Sequence, residues 1–65
     1  MGYQIRVRGE LDAGWSDWFA GLCVAAEGGD TLLLGRMDQA TLHGVLRRVR
    51  DLGLPLISVF PLEDP

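Results

Sequence analysis

The stretch DQATLHGVLRRVRDLGLPL, residues 38–56, carries the clearest structural signal in this 65-residue chain. Asp38 is suited to cap the start of a helix, and Met37 and Leu42 have the spacing of a hydrophobic staple around it. Gly53 is suited to the left-handed position that ends a helix, and Pro55 forbids its continuation. The stretch therefore predicts a helix over residues 38–52 with one buried stripe, formed by Leu42, Val45, Leu46, Val49 and Leu52.

The first strand is predicted by strict alternation. Within YQIRVRGEL, residues 3–11, the apolar Tyr3, Ile5 and Val7 alternate with polar residues. This pattern is typical of a strand that is buried on one face only. The polar residues that it leaves on the opposite face are Gln4, Arg6 and Arg8.

A short helix is expected after this strand. In DAGWSDWFAGL, residues 12–22, Asp12 is placed to cap a first turn and Gly21 to end the last one. The large apolar residues recur at helical spacing, which predicts a single apolar stripe of Trp15, Trp18, Phe19 and Leu22.

The remaining segments complete the order of strands and helices. Two strand-like runs in residues 22–37 flank Gly28 and Gly29, which can adopt the positive φ of a tight hairpin turn. Residues 54–62, LPLISVFPL, predict the last strand, and Pro61 favours a position at a sheet edge. The order βαββαβ predicts one α+β domain over residues 1–65 with the ferredoxin-like fold, in which two helices cover one face of a four-stranded antiparallel sheet.

The second face of this sheet is more apolar than exposure to solvent favours. Whichever register is chosen, apolar residues fall on both faces, for example Ile57 and Val59 on one face and Leu56 and Phe60 on the other. A sheet that is apolar on both faces is normally covered on both, so we expect a homo-oligomer, most simply a dimer, or an unidentified protein partner. The predicted interface consists of Leu33, Leu56 and Phe60 with Arg6 and Arg8 at its rim, and Tyr3 joins it if the register shifts by one residue.

Length and composition favour association and argue against a metal site, a cofactor or a reactive thiol. A chain of 65 residues buries only about 60% of its unfolded surface, so association would add needed stability. The single cysteine, Cys23, cannot form an internal disulfide, and the only histidine, His43, lies on a different predicted element. We therefore expect a buried structural thiol, no metal site and no cofactor.

Charge and hydropathy argue against two kinds of partner, nucleic acids and membranes. A net charge of −3 and a pI of about 4.7 argue against binding to nucleic acid. The apolar runs are shorter than the roughly 20 residues of a membrane helix, and no cleavable leader pattern is present. We expect a cytoplasmic protein that does not contact a membrane.

One flank of the predicted helix is a candidate ligand site. At about 100° per residue, His43, Arg47 and Arg50 lie together beside the buried stripe. They have the chemistry to bind an anion, or to use His43 as a general base. The preferred interpretation is a solvated flank in which Arg47 pairs with Asp51.

Gly44 leaves two interpretations open. A glycine in the middle of a helix costs roughly 1 kcal/mol relative to alanine, and Gly44 lies opposite the buried stripe, near Ala40. Together these small residues would let another backbone approach the helix. Alternatively, Gly44 is a tolerated exposed glycine.

The sequence resembles a group of short bacterial proteins of unassigned function, found largely in actinobacteria and other GC-rich lineages. Their shared patterns are YxIRVRG, WSxWF, DQAxLHGxLxRxRDLGLPL and a strand like ISV. Here these correspond to residues 3–9, 15–19, 38–56 and 57–59. The resemblance covers nearly the whole chain and supports the predicted fold, and it implies no activity.

These observations favour a small oligomeric binding or regulatory module that acts through its sheet face and has no catalysis of its own. One alternative is a small-ligand-binding protein or an enzyme, with a site at a dimer cleft that involves His43, Arg47 and Arg50. Another is a subunit of a hetero-complex whose partner covers the same face.

Overall fold

A four-stranded antiparallel sheet forms the framework of the protein. The computed structural model describes residues 2–19 and 21–62. Its strands are β1 (Gly2–Arg8), β2 (Cys23–Glu27), β3 (Asp30–Arg36) and β4 (Leu56–Leu62), in the order β2-β3-β1-β4. One α-helix, α1 (Gln39–Asp51), connects β3 to β4. Strands β1 and β3 are therefore central, while β2 and β4 form the edges.

The ferredoxin-like prediction with two helices is wrong, because the described residues between β1 and β2 contain no α-helix. A four-residue 3₁₀ helix, Ala13–Ser16, stands there instead. Asp12 caps it, since its side chain accepts a 2.9 Å hydrogen bond from the Gly14 N–H. Glycine, serine and aspartate all disfavour helix interiors, and so short a segment is costly to nucleate as an α-helix.

The β2–β3 hairpin and α1 confirm the local predictions. Gly28 and Gly29 form the two-residue turn, with φ of 59° and 86°. At the start of α1, the Asp38 side chain accepts a 2.7 Å hydrogen bond from the Thr41 N–H, which lowers the pKa of the Asp38 carboxyl below its usual value. At its end, Gly53 adopts φ of 74° and donates to the Arg50 carbonyl at 2.9 Å.

The core lies on one face of the sheet. Its sheet-side residues include Tyr3, Ile5 and Val7, as the alternation predicts, and α1 covers them with three buried residues, Leu42, Val45 and Val49. Phe19 and Leu22, which follow the 3₁₀ helix, complete the cover in place of a second α-helix.

Two residues expected in the interior lie at the surface. Trp18 is 42% exposed, and the Arg48 guanidinium lies 4.8 Å from the centre of its ring. The predicted stripe of four residues is therefore only partly buried. Cys23 is also exposed, so the prediction of a buried structural thiol is wrong.

Candidate functional site

Two surfaces of the protein are candidates for function, and the first is the face of the sheet opposite α1. We call it the open face, because α1 and the 3₁₀ segment both contribute to the core on the other side. The strand register places Gln4 opposite Phe60 on one side and opposite Leu34 on the other. Cys23 pairs with Leu34 in turn. A largely apolar row thus crosses this end of the open face.

The other end of the open face is charged. Arg6 donates from Nη1 to Asp30 Oδ2 at 2.8 Å and from Nη2 to Glu27 Oε1 at 2.9 Å. These two hydrogen bonds, the one to Asp30 first, raise the pKa of the Arg6 guanidinium above its usual value. Because the three residues belong to three neighbouring strands, the network joins β1, β3 and β2. Arg8 pairs with Asp30 across the sheet and is exposed at the same end.

The predicted interface residues do not all lie on the open face. Phe60, Arg6 and Arg8 do, and Phe60 is 55% exposed. Leu33 pairs with Ile5 and is completely buried in the core. Leu56 is 50% exposed but pairs with Val7, on the helix side. That the remaining residues form an interface stays a prediction.

A bulge in β4 explains the position of Leu56. Arg6 pairs with Ser58 whereas the next residue, Val7, pairs with Leu56, so Ile57 is an additional residue in β4. Alternation counted from Phe60 without the bulge places Leu56 on the wrong face.

Leu34 and Leu62, which the sequence analysis missed, lie on the open face instead. The spacing from Phe60 to Leu62 was a usable signal for the latter.

The outer edge of β4 is poorly suited to adding another strand. The Arg8 N–H donates to the Pro55 carbonyl at 2.9 Å, so the backbone groups of Arg8 point toward the β4 side. Alternate residues of a strand direct their backbone N–H and C=O groups to the same neighbouring strand. The backbone groups of Gln4, like those of Arg8, therefore point to β4, where Gln4 pairs with Phe60. The backbone nitrogen of Pro61, the next residue, therefore points to the outer side of β4. Proline has no N–H to donate to a further strand there, as predicted for a proline on an edge strand. Together with the bulge, this protects the edge.

The second surface is a groove between the C-terminal half of α1 and the start of β4. His43, Arg47 and Arg50 line it, so the structure brings together the three predicted ligand residues. The groove is open, has a volume of about 520 Å³ and contains four apolar residues: Leu46, Val49, Leu54 and Leu56. The sequence analysis missed Leu54 and Leu56 as parts of this site, because the chain reaches them only after α1 ends.

The arginines of the groove are not neutralised by neighbouring carboxylates. Among residues 2–19 and 21–62, neither Arg47 nor Arg50 takes part in an ion pair. The predicted pair between Arg47 and Asp51 does not form. The groove therefore presents two unpaired guanidinium groups beside apolar side chains.

Neither a metal site nor a membrane span is found in the described part of the chain. No cluster of three or more histidine, cysteine or acidic residues there could hold a metal ion. Among the same residues, α1 is too short and too polar to cross a bilayer.

Comparison with protein families gives a match over residues 2–60 to a family described as a domain of unknown function, DUF8691. Comparisons with curated proteins and with solved structures give no match. The assignment of a function thus depends on the two surfaces of this chain.

Proposed function

The chain belongs to the DUF8691 family, and we propose that it is a small association module whose open face binds that of a second copy. The observation that carries this proposal is the uneven cover of the sheet. Both helical segments contribute to one face, while Leu34, Phe60 and Leu62 lie on the other. Phe60 and Leu62 are exposed there.

The register of the open face favours a second copy as its partner. A two-fold axis parallel to the strands and midway between β1 and β3 would place β1 of one copy over β3 of the other. Since Arg8 and Asp30 are paired across these strands, Arg8 of one copy would lie over Asp30 of the other, twice. Phe60 would lie over Cys23 of the other copy at the apolar end. The face is thus complementary to itself in charge and in hydropathy.

The area of the open face sets the affinity that we expect for the dimer. Strands β1, β3 and β4 have seven residues each and are about 23 Å long, β2 has five, and four strands are about 19 Å wide. The footprint is therefore at most about 440 Å² per copy, which is at the low end for specific interfaces. We expect a dimer that dissociates on dilution, with a dissociation constant in the micromolar range.

The first test is the absolute mass in solution, measured by size exclusion with light scattering over a concentration series. We expect a dimer at high concentration and dissociation on dilution. Phe60→Glu should give a monomer throughout. Leu56→Glu is the matched control, because Leu56 lies on the same strand with nearly equal exposure but on the helix side; this variant should still dimerise.

Three outcomes would contradict the proposal. A folded wild-type monomer at all concentrations would exclude a second copy as the partner and favour a hetero-complex on the same face. Dimerisation of Phe60→Glu would remove the open face from the interface. Equal loss in the two variants would place the contact along β4 as a whole.

Two finer statements also belong to this proposal. We infer that the family corresponds to the short, largely actinobacterial proteins whose shared patterns occur at residues 3–9, 15–19 and 38–56. A cytoplasmic location is the setting that we propose for the module.

A further inference from the structure

We propose that the groove beside α1 binds a small anionic molecule with an apolar portion, of the class of a medium-chain carboxylate. The groove lies on the helix side of the sheet, so this site is separate from the open face. It needs no second copy, because α1, the turn that follows it and β4 of one chain supply the lining.

The charge of the groove selects an anion. Arg47 and Arg50 lack ion pairs among the described residues, although the chain has nine acidic residues against six basic ones. A guanidinium group matches a carboxylate through two parallel hydrogen bonds, and His43 adds a ring N–H donor. Two unpaired arginines give this groove a local positive charge, although the protein as a whole is acidic.

The apolar side chains select the rest of the ligand. Leu46 and Leu54 are half-buried, and Leu56 is half-exposed on the same groove. An inorganic anion would leave these side chains in water, whereas an alkyl or aromatic group would cover them. The volume of about 520 Å³ is within the range of small-molecule sites. Charge and hydropathy together specify an anion that carries an apolar group.

The test is a titration of the intact protein with octanoate, followed by NMR chemical shifts and by calorimetry. Acetate supplies the carboxylate without the chain, and octan-1-ol supplies the chain without the charge. We expect saturable binding of octanoate, at least tenfold tighter than that of either control, with the largest shifts at His43, Leu46, Leu54 and Leu56. Equal affinity for octan-1-ol or acetate, or shifts confined to the open face, would overturn the proposal.

Charge-matched variants locate the anion. Arg47→Gln and Arg50→Gln should each weaken octanoate binding several-fold, and the double variant at least tenfold. Arg48→Gln removes the same charge from the same helix, but Arg48 lies over the Trp18 ring and outside the groove, so this variant should bind as the wild type does. A similar loss in Arg48→Gln would show attraction by overall charge and contradict the site.

Discussion

At the scale of single residues, the Thr31 side chain ties the loop after β1 to the sheet. Thr31 is completely buried. Its hydroxyl donates to the Gly9 carbonyl at 2.6 Å and accepts from the Leu11 N–H at 2.9 Å. Strand β1 ends at Arg8, three residues before the predicted end, because the chain turns at this point to make these bonds.

We expect Thr31→Val to lower the free energy of unfolding by about 1–3 kcal/mol, since it leaves the Gly9 carbonyl and the Leu11 N–H without their partner. Thr31→Ser keeps the hydroxyl and loses one methyl group, which costs about 0.8 kcal/mol. Urea denaturation of both variants measures the difference. If Thr31→Val proved as stable as Thr31→Ser, the hydroxyl would have no such role.

Gly35 shows how one residue positions a loop on the sheet. A Cβ at Gly35 would lie 2.5 Å from Leu22 Cδ2. The absence of a side chain therefore lets Leu22 pack directly on β3 as part of the core. This close approach places the residues after the 3₁₀ helix against the sheet.

At the scale of elements, α1 formed as predicted because its signals are local. The N-cap, the apolar stripe and the left-handed Gly53 all lie within residues 38–53. Gly44 is exposed in the middle of this helix, and a Cβ there would meet nothing within 4 Å. In a single chain Gly44 therefore has no packing contact, and the close approach of another backbone at Gly44 stays a prediction.

Gly44→Ala should raise the free energy of unfolding by about 0.5–1 kcal/mol, because alanine loses less backbone entropy in a helix. Gly53→Ala should lower it by about 1–2 kcal/mol, since Gly53 has positive φ. Thermal unfolding of both variants tests the opposite signs. Light scattering should show unchanged association of Gly44→Ala, and its loss would mean that another backbone approaches α1 at Gly44.

At the scale of the whole molecule, one α-helix and an irregular segment cover one face of a sheet. A domain of 65 residues has a stability of roughly 3–10 kcal/mol, so each large core residue carries a substantial share. Phe19 is completely buried. Phe19 and Leu22 are buried residues that the segment between β1 and β2 contributes to the core. In the dimer that we propose, a second copy covers the other face.

Phe19→Ala should lower the free energy of unfolding by about 3–5 kcal/mol, which is enough to unfold much of the protein. Trp18→Ala removes the neighbouring aromatic residue, which is exposed and contacts Arg48 and Trp15; it should cost about 1 kcal/mol. Circular dichroism and denaturation measure both. A well-folded Phe19→Ala protein would mean that the 3₁₀ segment is not part of the essential core.

Features that depend only on neighbours in the chain could be predicted from the sequence. These are the caps and stripe of α1, the two-glycine hairpin, the alternation of β1, the edge position of the strand with Pro61, and the common flank of His43, Arg47 and Arg50. Each is set by steric and hydrogen-bonding rules that act over a few residues.

The face on which a residue lies, and the residues that it meets there, depend on the tertiary structure. Leu33 is buried because it pairs with Ile5, and Leu56 faces the helix because one additional residue in β4 reverses the alternation. Local propensity already disfavours an α-helix after β1, but only the tertiary structure shows that Phe19 and Leu22 reach the core from a 3₁₀ segment and the residues after it. Leu56 joins the flank of α1 only through the return of β4. Such pairings join residues far apart in the chain, so local patterns do not specify them.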